Sequence, residues 1–144
     1  YSGYGEGWAL YTESLGKELG LYTDPYQYFG MLSAEMHRAI RLVVDSGIHA
    51  KGWTREQAIQ YSLENEAESA ASIEREIERY MANPGQALSY KIGQLKIREL
   101  RSFAEQTLGE KFQIAEFHNQ VLETGCVPLA LLENKIRKWV ASQS

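Results

Sequence analysis

Apolar residues recur at three- and four-residue steps along almost the whole of this chain, and no stretch alternates in the period-two manner of a half-buried strand. That single pattern predicts an all-α fold. The breaks sit where helices should start and stop. Asp24-Pro25 supplies an N-cap followed by proline at the first helical position, Thr54-Arg55-Glu56-Gln57 has the form of a capping box, and Asn83-Pro84-Gly85 is a breaker. The spacing predicts helices over about Gly7 to Gly20, Pro25 to Ser46 with a stop at Gly47, Thr54 to Asn65 and Glu68 to Met81. Three more follow over about Gln86 to Leu108, Ile114 to Thr124 and Pro128 to Ser142. No repeat, low-complexity run or linker divides them. A length of 144 residues suits one domain of about seven helices, residues 1–144.

Composition then narrows the function classes. A net charge of −4 argues against a nucleic-acid surface, which should be basic. One cysteine, Cys126, excludes an intrachain disulfide and a cysteine-based zinc cluster. No apolar run approaches the roughly 20 residues needed to cross a bilayer, so no transmembrane segment is expected.

Three constellations could carry chemistry. In the first helix, Glu6 and Glu13 lie two turns apart on one stripe, among Trp8, Leu10, Tyr11 and Leu15. A carboxylate in such surroundings is paired, capped or bound to a metal. Lys17 stands four residues after Glu13, an ordinary helix pair, so the metal or acid/base reading falls on Glu6. The second constellation is His37, Arg38, Arg41, Asp45 and His49. Arg41 and Asp45 are spaced for a same-face salt bridge, and His49 reads either as a helix-terminal histidine or as a substrate-orienting group beside Trp53. The chain contains no His-Glu-x-x-His, and His37 and His49 are too far apart to form a His-x-x-x-His metal pair. Third, Gly85, Ser89 and Gly93 recur every four residues beside a stripe of Gln86, Tyr90 and Gln94. Gly93 inside a helix costs about 1 kcal/mol relative to alanine, which close helix packing or a tyrosine aimed at a reacting carbonyl would justify. His118 reads as structural, and Glu64, Glu66, Glu68, Glu74, Glu76 and Glu78 as a solvated acidic face.

Glu-Gly-Trp-Ala-Leu-Tyr at 6–11, Arg-Leu-Val-Val-Asp-Ser-Gly-Ile-His at 41–49 and Pro-Gly-Gln-Ala-Leu-Ser-Tyr-Lys-Ile-Gly at 84–93 together resemble the bacterial domain-of-unknown-function family 885. That family is similar to gluzincin-type zinc peptidases. The resemblance implies an upstream helix bearing His-Glu-x-x-Pro-Gly-His-His, with two zinc-binding histidines and a general-base glutamate, and Glu6 as the third protein ligand. It implies further that Tyr90 steadies the oxyanion, that Arg41 and His49 orient a peptide substrate, and that the parent is bacterial and exported or periplasmic, anchored as a lipoprotein in some members. On this reading the chain is the C-terminal portion of a larger helical metallopeptidase. By itself it is expected to hold no zinc tightly, to be inactive, and to self-associate through surface bared on the first or fifth helix. The alternative is a non-catalytic helical binding or assembly module.

Overall fold

The computed structural model describes residues 1–143 and contains seven helices with no strand among the described residues: α1 Ser2–Glu18, α2 Pro25–Lys51, α3 Arg55–Asn65, α4 Ala70–Ala82, α5 Ser89–Leu108, α6 Ile114–Leu122 and α7 Leu129–Gln143. The caps explain most boundaries. Asp24 accepts from the Tyr26 N–H at 2.7 Å, with Pro25 opening α2. Thr54 and Gln57 form the reciprocal capping box of α3, and Ser69 caps α4. A 3-10 turn over Gln86–Leu88 leads into α5 after Gly85, whose φ of 80° places it in the left-handed region.

One boundary departs from expectation. α2 does not stop at Gly47 but runs on to Gly52, whose φ of 70° ends it. The Trp53 ring lies against the Cα of Gly47, where any side chain would overlap the indole, and the Trp53 N–H bonds the Gly47 carbonyl at 2.9 Å. The glycine is there to admit a tryptophan, not to end a helix. His49 therefore sits in the last turn of α2 rather than in a loop.

α1 and α5 run parallel and touch through their backbones. Ser2 bonds Ser89 near one end at 2.8 Å, and Glu18 pairs with Arg101 near the other at 2.8 Å. Between them, a methyl on Gly93 would overlap the carbonyl oxygen of Gly3 and stand 2.6 Å from the Cα of Gly7. Buried Gln94, one residue on, donates to the Leu10 carbonyl at 3.2 Å. This pair anchors a core in which Ile97, Leu100, Phe117, Leu132 and Ile136 bring α6 and α7 against α5. A second core, with Ile40, Val44, Ala58, Ile73 and Ile77, joins α2, α3 and α4, and Ala87 ties it to the start of α5.

Tyr11, His118 and Arg101 join α1, α6 and α5 through one phenol. Arg101 donates to the Tyr11 oxygen at 3.3 Å, and the Tyr11 hydroxyl is hydrogen-bonded to Nε2 of His118 at 2.8 Å. Burial first, then the Arg101 charge, holds His118 below its ordinary pKa.

Gly93→Ala should destabilise the fold by about 3 kcal/mol or more in urea titrations followed by circular dichroism, because the clash is with backbone atoms that cannot step aside singly. Gly30→Ala is the control. It lies inside α2 with no atom within 4 Å of the added methyl, and should gain about 0.5–1 kcal/mol.

Candidate functional site

Helical spacing places Arg38 and Arg41 one turn apart on α2, and the break at Asn83-Pro84-Gly85 returns the chain so that the first turn of α5 sets Tyr90 beside them. The Arg41 guanidinium stacks on the Tyr90 ring at 4.5 Å and on the Tyr80 ring of α4 at 5.1 Å; Arg38 takes the Tyr90 ring at 4.9 Å. Arg38, Arg41 and Tyr90, together with His37, Glu68, Ser72, Glu76 and Arg79, line a cleft of about 380 Å³. It lies within the part of the fold built by α2, α4 and the start of α5.

Arg41 is 3% exposed and forms no ion pair. Its one protein hydrogen bond runs from Nη2 to the Gln86 side-chain oxygen at 2.9 Å, and its buried Nε has no partner. The expected bridge to Asp45 is absent for a local reason. Asp45, 2% exposed, turns both carboxylate oxygens to the Gly85 N–H, at 3.1 and 3.2 Å, and so holds the turn that presents α5. Arg38 likewise makes no hydrogen bond or ion pair, and the Tyr90 hydroxyl donates to nothing among the described residues.

Of the neighbouring charges, Glu76, Arg79 and His37 are paired, whereas exposed Glu68 forms no hydrogen bond or ion pair among the described residues. Glu76 accepts from Arg79 and, at 2.9 Å, from the buried Tyr80 hydroxyl. The Arg79 hydrogen bond holds the Glu76 carboxyl below the ordinary carboxylate range, while burial pushes the Tyr80 phenol well above its own. His37 pairs with Glu66. Two glutamates of the supposed solvated face thus support the cleft wall, Glu76 because the fold turns its side of α4 toward α2 and Glu66 because the end of α3 lies beside His37. Sequence spacing gave no sign of this, because Glu66 and Glu76 look like their exposed neighbours Glu64 and Glu74.

His49 stands two turns beyond Arg41 and donates Nε2–H to the Tyr80 carbonyl at 2.9 Å. It ties the end of α2 to the end of α4 and does not line the arginine cleft. Glu6, half-buried on α1, shares a stripe with Ser2, whose hydroxyl reaches the residue before Tyr90. Its carboxylate makes no hydrogen bond or ion pair among the described residues. Glu13, exposed, has no ion pair with Lys17, which instead donates to the Tyr28 hydroxyl at 3.1 Å. Ser72 and Arg79 are the members of the cleft that sequence reasoning missed, as it missed Tyr80, whose ring takes the Arg41 guanidinium.

A larger groove of about 480 Å³ between α1, α2 and α5 is also rich in charge, but its charges pair internally. Glu18 meets Arg101 at 2.8 Å, and Glu35 meets Lys91 at 2.7 Å and Arg98 at 3.4 Å. Among the described residues no three His, Cys, Asp or Glu side chains group as a metal site.

Residues 1–136 match the family described as bacterial protein of unknown function, DUF885. No curated protein matches. Among solved structures, one described as "the putative lipoprotein from Colwellia psychrerythraea" aligns over 99% of this chain at 52% identity with a TM-score of 0.96. The present chain spans 24% of that longer one.

Glu76 makes the cleft wall acid-sensitive. Its folded pKa lies below its ordinary value of 4.5, so the unfolded chain binds the proton first. The resulting stability is present above that value and lost as pH falls through the folded one. Glu76→Gln should lower stability at neutral pH and flatten its decline between about pH 5 and pH 3, as read by thermal melts across that window.

Proposed function

The chain belongs to the bacterial protein family of unknown function DUF885, and we propose on that premise that it is part of a zinc-dependent peptidase, contributing Glu6 to the metal site and Tyr90 to the substrate carbonyl. The observation that carries this reading is the pair of unengaged groups on two locked helices. Glu6 has a free, half-buried carboxylate on α1 and Tyr90 a free hydroxyl on α5, while the glycine contact between those helices leaves neither backbone room to shift.

One carboxylate does not make a zinc site, and the described residues offer no cluster of three donors. The remaining ligands would come from outside this sequence, in keeping with the much longer chain of the Colwellia relative. Zinc in such a site polarises a carbonyl and lowers the pKa of a bound water. The residues of this chain do the rest. The Tyr90 hydroxyl donates to the carbonyl oxygen as negative charge builds there, and the guanidiniums of Arg38 and Arg41 against its ring favour that charge. Arg41 orients the substrate. His49 acts at one remove, holding the end of α4 that carries Arg79 and Tyr80. An exported, lipoprotein-like setting follows the description of the relative, and no helix among the described residues is long and apolar enough to cross a membrane.

In the longer protein, Glu6→Gln should abolish stoichiometric zinc measured by plasma mass spectrometry. Unchanged zinc content would reject the ligand assignment. Tyr90→Phe should lower kcat by about 100-fold with KM within about twofold, since the hydrogen bond matters as charge develops.

A second reading, a helical assembly module, is favoured by the first half of α2. There Tyr26 is 84% exposed, Phe29 65% and Met36 53%, so the bare apolar surface is concentrated on α2 rather than on α1 or α5. If that face mediates self-association, Phe29→Glu should convert oligomer to monomer in light scattering of eluting protein, with zinc content unaltered.

A further inference from the structure

We propose that Arg41 and Arg38, stacked on the Tyr90 ring, form a subsite for the terminal carboxylate of a peptide, so that the peptidase acts from the C-terminal end of its substrate. The peptide as substrate rests on the function proposed above; the anion site rests on the cleft alone.

The argument begins with an uncompensated charge. A guanidinium carries five N–H donors, and Arg41 uses one, toward the Gln86 oxygen, although the residue is 3% exposed. Burying a cation without a counter-charge is strongly unfavourable unless a partner arrives. Three nearby carboxylates are bonded elsewhere, Asp45 to the Gly85 N–H, Glu76 to Arg79 and Tyr80, and Glu66 to His37; Glu76 is within the field of Arg41 without pairing with it, and exposed Glu68 lines the cleft without an ion pair to either arginine. Arg38, one turn away, is equally without a hydrogen bond or ion pair. Both arginines and Tyr90 face the same opening of about 380 Å³, a volume suited to one or two residues of a peptide end.

The chemistry selects among anions. A planar guanidinium fork fits the two oxygens of a carboxylate, and a second guanidinium one turn away supplies further donors. Glu68 also lines the cleft, with Glu76 on its wall and Glu66 beside His37. Those negative groups oppose a doubly charged phosphate more than a singly charged carboxylate. The backbone N–H groups at the start of α4, near Ser72, add a weak favourable field.

Calorimetric titration of the full protein, with zinc chelated, compares N-acetyl-Ala-Ala with its C-terminal amide. The acid should bind at least about tenfold more tightly than the amide, as expected for hydrogen bonds to a charged group. Arg41→Gln and Arg38→Gln should each erase most of that preference, and Arg41→Lys should restore it in part. Should Arg41→Gln fail to fold, Arg38→Gln decides, since its side chain makes no hydrogen bond or ion pair in the folded protein. Equal binding of acid and amide, undetectable binding of the acid, or displacement by inorganic phosphate at equal or higher affinity would overturn the subsite. Acid preference in a protein that cleaves no peptide removes the peptidase reading and leaves the carboxylate subsite standing. Cleavage without acid preference does the reverse.

Discussion

The backbone contact of Gly7 and Gly3 with Gly93 is the constraint on which the rest of the structure depends. Two parallel helices meet so closely that no Cβ fits at the crossing. Such proximity lets Gln94 reach the Leu10 carbonyl and Ser2 reach Ser89, so the interface is polar at its centre and end yet fully bonded. Once α1 and α5 are clamped, the outward side of α5 can collect α6 and α7, and its first turn can meet α2 and α4. Side chains elsewhere tolerate repacking; this crossing has no side chain to repack.

Around it the molecule treats its charges in two ways. Along the α1–α2–α5 groove every prominent arginine and glutamate has an opposite number, and the result is a surface that binds itself. In the cleft of Arg38 and Arg41, Asp45, Glu76 and His37 are paired while neither guanidinium has an ion pair. That difference is what separates a structural ion-pair network from a receptor, and mere abundance of charge does not reveal it.

The helical plan was legible in the sequence because caps and breakers are local: Asp24-Pro25, the Thr54–Gln57 box and the Gly85 turn each act within four residues. Gly47 misled because a glycine that ends a helix and one that admits a ring are the same letter, and Trp53 six residues later is what tells them apart. Arg41 and Tyr90 stood out in the sequence through the motifs around them, and the structure brings them into contact. Arg79, Tyr80 and Glu76 did not stand out, because their roles depend on which face of α4 meets α2, and Glu66 did not because its role depends on where the end of α3 meets His37, tertiary facts that spacing alone does not carry. The Arg41–Asp45 pair shows the same limit, since a spacing of four permits a bridge without requiring one.

The two hydrophobic cores have a mechanical consequence. Glu6 belongs to the body formed by α1, α5, α6 and α7, whereas Arg41 belongs to the one formed by α2, α3 and α4, and the two meet through Arg41 on Gln86 and Tyr90, Asp45 on the Gly85 N–H and Glu35 on Lys91. The seam between the bodies is thus held by charge and hydrogen bonding, which salt and pH can tune, while each body keeps its own apolar burial. The placement of Glu6 relative to Arg41 is therefore set by polar contacts rather than by a shared apolar core.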